Sequence, residues 1–169
     1  MTVSNRRQVA KLFSICQLAK NAARQKFITE ILLALLESKN VQFNELFLHI
    51  NSEAKEISTE RRLQNFFAKF EFDYDVALLL CSFGGIYKLR WSIETLLQAC
   101  KQRGFNLEST HLKSSEKIKK LLVFVFLAVA ICINTGILLH KNKKQIKVKK
   151  HGYKANSFFR TGLDTWRRL

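Results

Sequence analysis

The chain has 169 residues, about one domain or one and a half, and 47% of them are apolar, 14 being Phe. That content can build a sizeable core and argues against global disorder, while zero Pro and six Gly exclude collagen-like, Pro-rich and flexible-linker architectures. Lys plus Arg number 29 against 13 Asp plus Glu, a net charge of +16, which disfavours a neutral metabolic enzyme and points to polyanions, nucleic acid or an anionic membrane surface.

The N-terminus, MTVSNRRQVAKLF, is basic but has no apolar stretch before Lys20, so no secretory signal is expected. Ile28, Ile31, Leu32, Leu35 and Leu36 then recur at helical spacing, and Glu37-Ser38-Lys39-Asn40 closes the run. Phe43, Leu46, Phe47 and Ile50 mark one face of a short second helix. Leu63, Phe66, Phe67 and Phe70 do the same for a third, with Ser58 or Thr59 expected as its N-cap and Glu60 in its first turn. No segment alternates with period two, so the first half reads as a small bundle of amphipathic helices.

Val76 to Leu80 is a short apolar run, and Gly84-Gly85 breaks the chain after it. A helix is expected from Ile86 to Arg103, stopped by Gly104, with Lys101 and Arg103 at its negative end. FNLESTHLKSS follows as an extended or looped segment. Ser114 or Ser115 then caps an apolar helix over 116–139, and the sequence ends in a helix near 157–168, with a short strand at 146–150 between them.

The run LLVFVFLAVAICINTGILL, residues 121–139, reaches the length of a membrane-span candidate. Asn134-Thr135-Gly136 interrupts its second half, and Lys117, Lys119 and Lys120 before it match Lys141, Lys143 and Lys144 after it, so no orientation follows. A core helix buried all round has the same composition, which leaves a small, basic single-span membrane protein as the alternative reading.

The basic tail carries Lys147, Lys149, Lys150, Lys154, Arg160, Arg167 and Arg168, with Tyr153, Phe158, Phe159 and Trp166 interleaved. The cations suit phosphates; the aromatics could stack on bases, but apolar faces usually pack, and core closure is the expected role for Phe158, Phe159 and Leu163. Cys16, Cys81, Cys100 and Cys132 form no C-x-x-C pair and have no His beside them, so a zinc site is not expected; reduced, buried thiols in a cytoplasmic protein are.

Charge divides the chain. Residues 1–80 carry 11 basic and 9 acidic side chains, residues 81–169 carry 18 and 4, and the boundary falls near 75–86. On the helix from Ile86, the residues Tyr87, Arg90, Glu94 and Lys101 have offsets of 0, 3, 7 and 14, within a sector of about 60° at roughly 100° per residue. The line spans about 21 Å. Leu89, Ile93, Leu96 and Cys100 form a separate, buried face. A carboxylate among cations repels a phosphate, unless Glu94 holds a divalent ion that itself touches the phosphodiester. The plain alternative is a surface pair between Arg90 and Glu94.

Tyr87-x2-Arg90-x3-Glu94-x6-Lys101 resembles the C-terminal signature of bacterial insertion-sequence transposases of the cut-and-paste DDE type. The surrounding YKLRWSIETLLQACKQRGFNLESTHL, the tail segment IKVKKHGYKANSFFRTGLD and the block RRLQNFFAKFEFDYD also resemble that family, in the same order. The resemblance implies a ribonuclease-H-like core in which two Asp and one Glu bind two Mg2+ ions. It makes Glu94 the third acidic residue and the only metal ligand retained. It places Tyr87, Arg90 and Lys101 on DNA; the basic surface adds Arg61, Arg62, Lys149 and Lys150 as further expected DNA contacts.

The departure from the family is sharp. Only VALLLCSFGGI separates Asp75 from Tyr87, with no carboxylate and no room for a sheet, and Asp73 and Asp75 belong to the N-terminal block. The expected fold is therefore mainly α: an N-terminal helical, DNA-binding region over 1–80, and over 81–169 a helical remnant of the catalytic domain lacking its central sheet. The expected partners are DNA at element ends and full-length transposase subunits. Mg2+ is implied by the family but not expected to bind productively.

Overall fold

The computed structural model describes residues 18–51, 56–71, 98, 100, 101, 104–142, 146–152 and 154–168. Helix α1 (Ala22–Ser38) starts where Asn21, in extended backbone, accepts a 2.8 Å hydrogen bond on its Oδ1 from the Ala23 N–H. That bond satisfies one of the amide groups a helix start leaves unpaired. The helix ends at Lys39, whose left-handed backbone (φ 55°) lets its N–H reach the Leu35 carbonyl. Ile28 and the whole run from Ile31 to Leu36 are fully buried. A single apolar stripe would leave Leu33 and Ala34 wet. They are covered because α1 sits at the centre of the bundle, with other helices on several sides.

Helix α2 (Phe43–His49) follows after four residues and packs back on α1, as its Phe43, Leu46 and Phe47 spacing predicts. Helix α3 (Glu56–Lys69) begins earlier than expected: Ser58 and Thr59 lie inside it, and Thr59 is buried. A hydroxyl residue before an apolar run signals a cap only when the helix has not already started, and here Glu56 and Ile57 continue it upstream. Helix α3 packs on α2 and on the long helix α4 (Ser115–Asn142) through a knot of rings. Phe66 and Phe70 stack at 4.5 Å, Phe43 and Phe67 lie at 4.8 Å, and Phe67 meets Phe124 of α4 at 5.4 Å.

Helix α4 (Ser115–Asn142) is continuous for 28 residues. Asn134-Thr135-Gly136 interrupts the apolar run without breaking the helix, as the expected helix over 116–139 requires, and forms the seat for helix α5 (Phe158–Arg168). Thr135 Oγ1 accepts a 3.0 Å bond from the indole N–H of Trp166. A Cβ on Gly136 would collide with the Phe158 backbone, and one on Gly162 with the Cys132 backbone. The two helices touch main chain to main chain, and the polar triplet makes that approach possible. Phe159 and Leu163 are buried in this contact as expected and Trp166 joins them, while Phe158 stays half-buried.

Lys120 of α4 is buried, and its ammonium donates to the Phe67 carbonyl at 3.1 Å, in the last turn of α3 where carbonyls lack helical partners. Between residues 101 and 115 the chain turns at Gly104, buries Phe105 completely and makes a short 3-10 turn at Leu107–Ser109. The strand expected at 146–150 is reduced to one antiparallel bridge, Val148 to Lys154, around a turn with Gly152 at φ 83°. Among the described residues there is no strand, and the fold is mainly α. One lone bridge cannot propagate a ladder without a second partner.

Candidate nucleic-acid interface

The sequence-predicted site residues fall into two groups. Tyr87, Arg90 and Glu94, with Asp73 and Asp75, lie outside the described residues. Lys101, Arg61, Arg62, Lys149 and Lys150 are described, and all five are exposed. They occupy three places on the surface rather than one line.

Arg61 and Arg62 project from the exposed side of α3, one turn before the ring cluster that buries its other side. Successive residues on a helix diverge by about 100°, so the two cannot share one ligand contact. Arg62 folds over the ring of Phe27 in α1, with its guanidinium carbon 4.3 Å from the ring centroid. Arg24 approaches Phe70 in the same way at 6.0 Å. These contacts frame an open groove of about 290 Å³ between the start of α1 and the face of α3. Arg24, Arg62 and Lys69 line it together with Phe27, Phe66 and Phe70.

Arg24 and Lys69 escaped the sequence reading. Arg62, Phe66 and Lys69 at i, i+4 and i+7 carry a signal for one helical face, but the Phe at 66 and 70 drew that face into the core. Only the docking of α1 shows that the rim of the face stays open.

Lys101 lies just before the turn at Gly104 and forms a 3.4 Å ion pair with Glu108, both side chains well exposed. This pair brings a carboxylate against a cation that the family signature assigns to DNA. The spacing gives no warning of it, because the partners meet through the turn rather than along a helix. Lys149 and Lys150 sit on the turn closed by Gly152, whose N–H reaches the Lys149 carbonyl at 2.9 Å. Lys147 and Lys154 flank them, and Lys154 rests its ammonium 3.9 Å from the centroid of the Phe158 ring. The turn therefore presents several cations on a short, tied-down loop.

The two described thiols, Cys100 and Cys132, are held neutral by their environment. Burial pushes the Cys100 thiol up to about 11, and burial likewise raises Cys132 well above the usual thiol range. Neither is a nucleophile at neutral pH. Among the described residues no three His, Cys, Asp or Glu side chains converge to hold a metal ion. The DDE family generally uses divalent metal ions, and Glu94, the ligand expected here, lies outside the described residues.

Among the described residues one helix, over Ser115–Lys141, is long and apolar enough to cross a membrane, and half of its apolar window is buried within the protein. Comparison with known proteins gives one result. A family model described as "Transposase DDE domain" matches residues 18–131, well over half of the chain and on both sides of the VALLLCSFGGI segment. No curated protein and no solved structure matches.

Proposed function

The chain belongs to the transposase DDE domain family, and from that premise we propose that it is an internally deleted insertion-sequence transposase that binds DNA but neither cleaves nor joins it alone. One observation carries this reading. The family match spans residues 18 to 131, yet only eleven residues without a carboxylate lie between Asp75 and Tyr87. The family generally works with divalent metal ions. Glu94 alone leaves most of the coordination sphere of each of two ions unfilled, and Mg2+ then has no productive site.

What survives is the positive surface. Residues 1–80 supply Arg61 and Arg62; residues 81–169 supply Tyr87, Arg90, Lys101, Lys149 and Lys150 and most of the net charge. In this reading the protein occupies element ends in the cytoplasm, or mixes with full-length subunits, and so inhibits transposition. The rival, a single-span membrane protein, draws on the apolar character of α4. The seating of α5, α1 and α3 against that helix favours a core role instead.

Two measurements test the proposal. A strand-transfer assay with Mg2+ or Mn2+ and matching element ends should give no product; robust metal-dependent product abolished by Glu94→Gln would refute it. Affinity for duplex DNA should fall steeply with salt, with a log–log slope of about −0.9 per phosphate neutralised. Binding indifferent to ionic strength would count against it, and retention in membranes through alkaline extraction would favour the rival.

A further inference from the structure

The groove between α1 and α3 differs from the rest of the basic surface. At several other places cations meet carboxylates: Lys101 faces Glu108, Lys119 faces Glu116 and Arg160 faces Asp164. Arg24, Arg62 and Lys69 instead bring three positive charges to one concavity that no carboxylate among the described residues lines, and among those residues none of the three makes an ion pair. Three cations held together without counter-charge repel one another, and an anion relieves that repulsion. Phe27 holds the Arg62 guanidinium by its face while the N–H groups stay available to an acceptor.

Size and lining narrow the anion. The groove, at about 290 Å³, matches the small end of ligand sites, about 300 Å³. A duplex cannot enter it, since its grooves admit protein elements rather than the reverse. A free phosphate would satisfy the cations but not the apolar wall of Phe27, Phe66 and Phe70, of which Phe66 is the half-buried ring. A nucleotide unit satisfies both, and Asn65 on the same wall offers a donor and an acceptor to a base edge.

Resting on the DNA-binding reading above, we infer that this groove is a subsite for one unpaired nucleotide of single-stranded DNA, its phosphate held by Arg24, Arg62 and Lys69 and its base against Phe66. The site lies on α1 and α3, away from the Tyr87–Lys101 signature in sequence, and adds a single-strand preference to the duplex binding supplied by the exposed lysines.

The test uses the full chain, a short fluorescent oligothymidylate and a blunt duplex of matched length, read by anisotropy over a salt series. Arg62→Gln and Lys69→Gln are each expected to weaken oligothymidylate binding about threefold to tenfold and to reduce its salt slope by about 0.7. Phe66→Leu is expected to weaken it about fivefold or more while leaving duplex affinity unchanged. An oligothymidylate carrying 5-iodouracil should cross-link to the peptide containing Phe66 in the wild-type protein, which decides the matter even if Phe66→Leu does not fold. Overturning results are a cross-link confined to other segments, equal weakening of oligothymidylate and duplex with no effect of Phe66→Leu, or displacement of the oligonucleotide by polyglutamate at matched charge. If the wild type binds neither probe, the DNA-binding reading itself falls; if it binds duplex but not oligothymidylate, only the subsite does.

Discussion

Gly162→Ala tests the seam on which the C-terminal half depends. In an unconstrained helix interior the change would stabilise by about 1 kcal/mol, because Gly is the poorer helix former. Here the new Cβ lands on the Cys132 backbone of α4, inside van der Waals contact. A carbonyl in a helix cannot rotate aside as a side chain can, so α4 and α5 must part by roughly 1 Å, and each facing atom pair then forfeits a quarter to a half of its dispersion well. Phe159, Leu163 and Trp166 are buried along that seam and the Trp166–Thr135 bond spans it. Overpacking against movable side chains costs about 1–3 kcal/mol; with an immovable obstacle the net loss should be about 2–4 kcal/mol, a large part of the ~5–15 kcal/mol that holds a domain together. Urea denaturation followed by circular dichroism measures it. Gly152→Ala serves as the control: its φ of 83° strains an alanine, but no atom lies within 4 Å of the added Cβ, so only about 1–2 kcal/mol should be lost. An unchanged or raised midpoint for Gly162→Ala would refute main-chain packing between these helices.

Three other perturbations have definite expected outcomes. Lys120→Met keeps the buried stem but strips the Phe67 carbonyl of its donor, and should cost about 1–3 kcal/mol in the same denaturation experiment; a neutral result would mean water replaces the ammonium. Glu108→Gln releases Lys101 and removes a negative charge beside it, so duplex affinity at low salt should rise about twofold to fivefold, a gain that disappears in the Lys101→Gln background. Because burial raises Cys100 to about 11, the fold prefers the neutral thiol; its contribution is complete below the unfolded value near 9 and is lost as pH rises from 9 toward 11. The wild type should therefore lose more stability over that interval than Cys100→Ala, and parallel pH profiles would show the thiol to be solvated.

Periodicity alone located α1, α2, α4 and α5 and predicted that Phe158, Phe159 and Leu163 close the core, because a helix that must bury one stripe writes that stripe at i, i+3 and i+4; Phe159 and Leu163 are buried and Phe158 is half-buried. Composition alone set the polyanionic partner class, and the order of three matching blocks set the family, which the match over 18–131 bears out. Tyr87, Arg90 and Glu94, the residues that carried that identification, lie outside the described residues, so their role stands as proposed. Tertiary structure decided the rest. Asn134-Thr135-Gly136 reads locally as a polar interruption of an apolar run, yet it is a docking seat, since a glycine's worth to a partner helix depends on what arrives across the gap. Likewise the pairing of Lys101 with Glu108 and the open groove at Arg24, Arg62 and Lys69 join residues through a turn and through two helices. A one-dimensional pattern records which face of an element is apolar; it does not record which neighbour covers that face, how completely, or which cations are left along the uncovered edge.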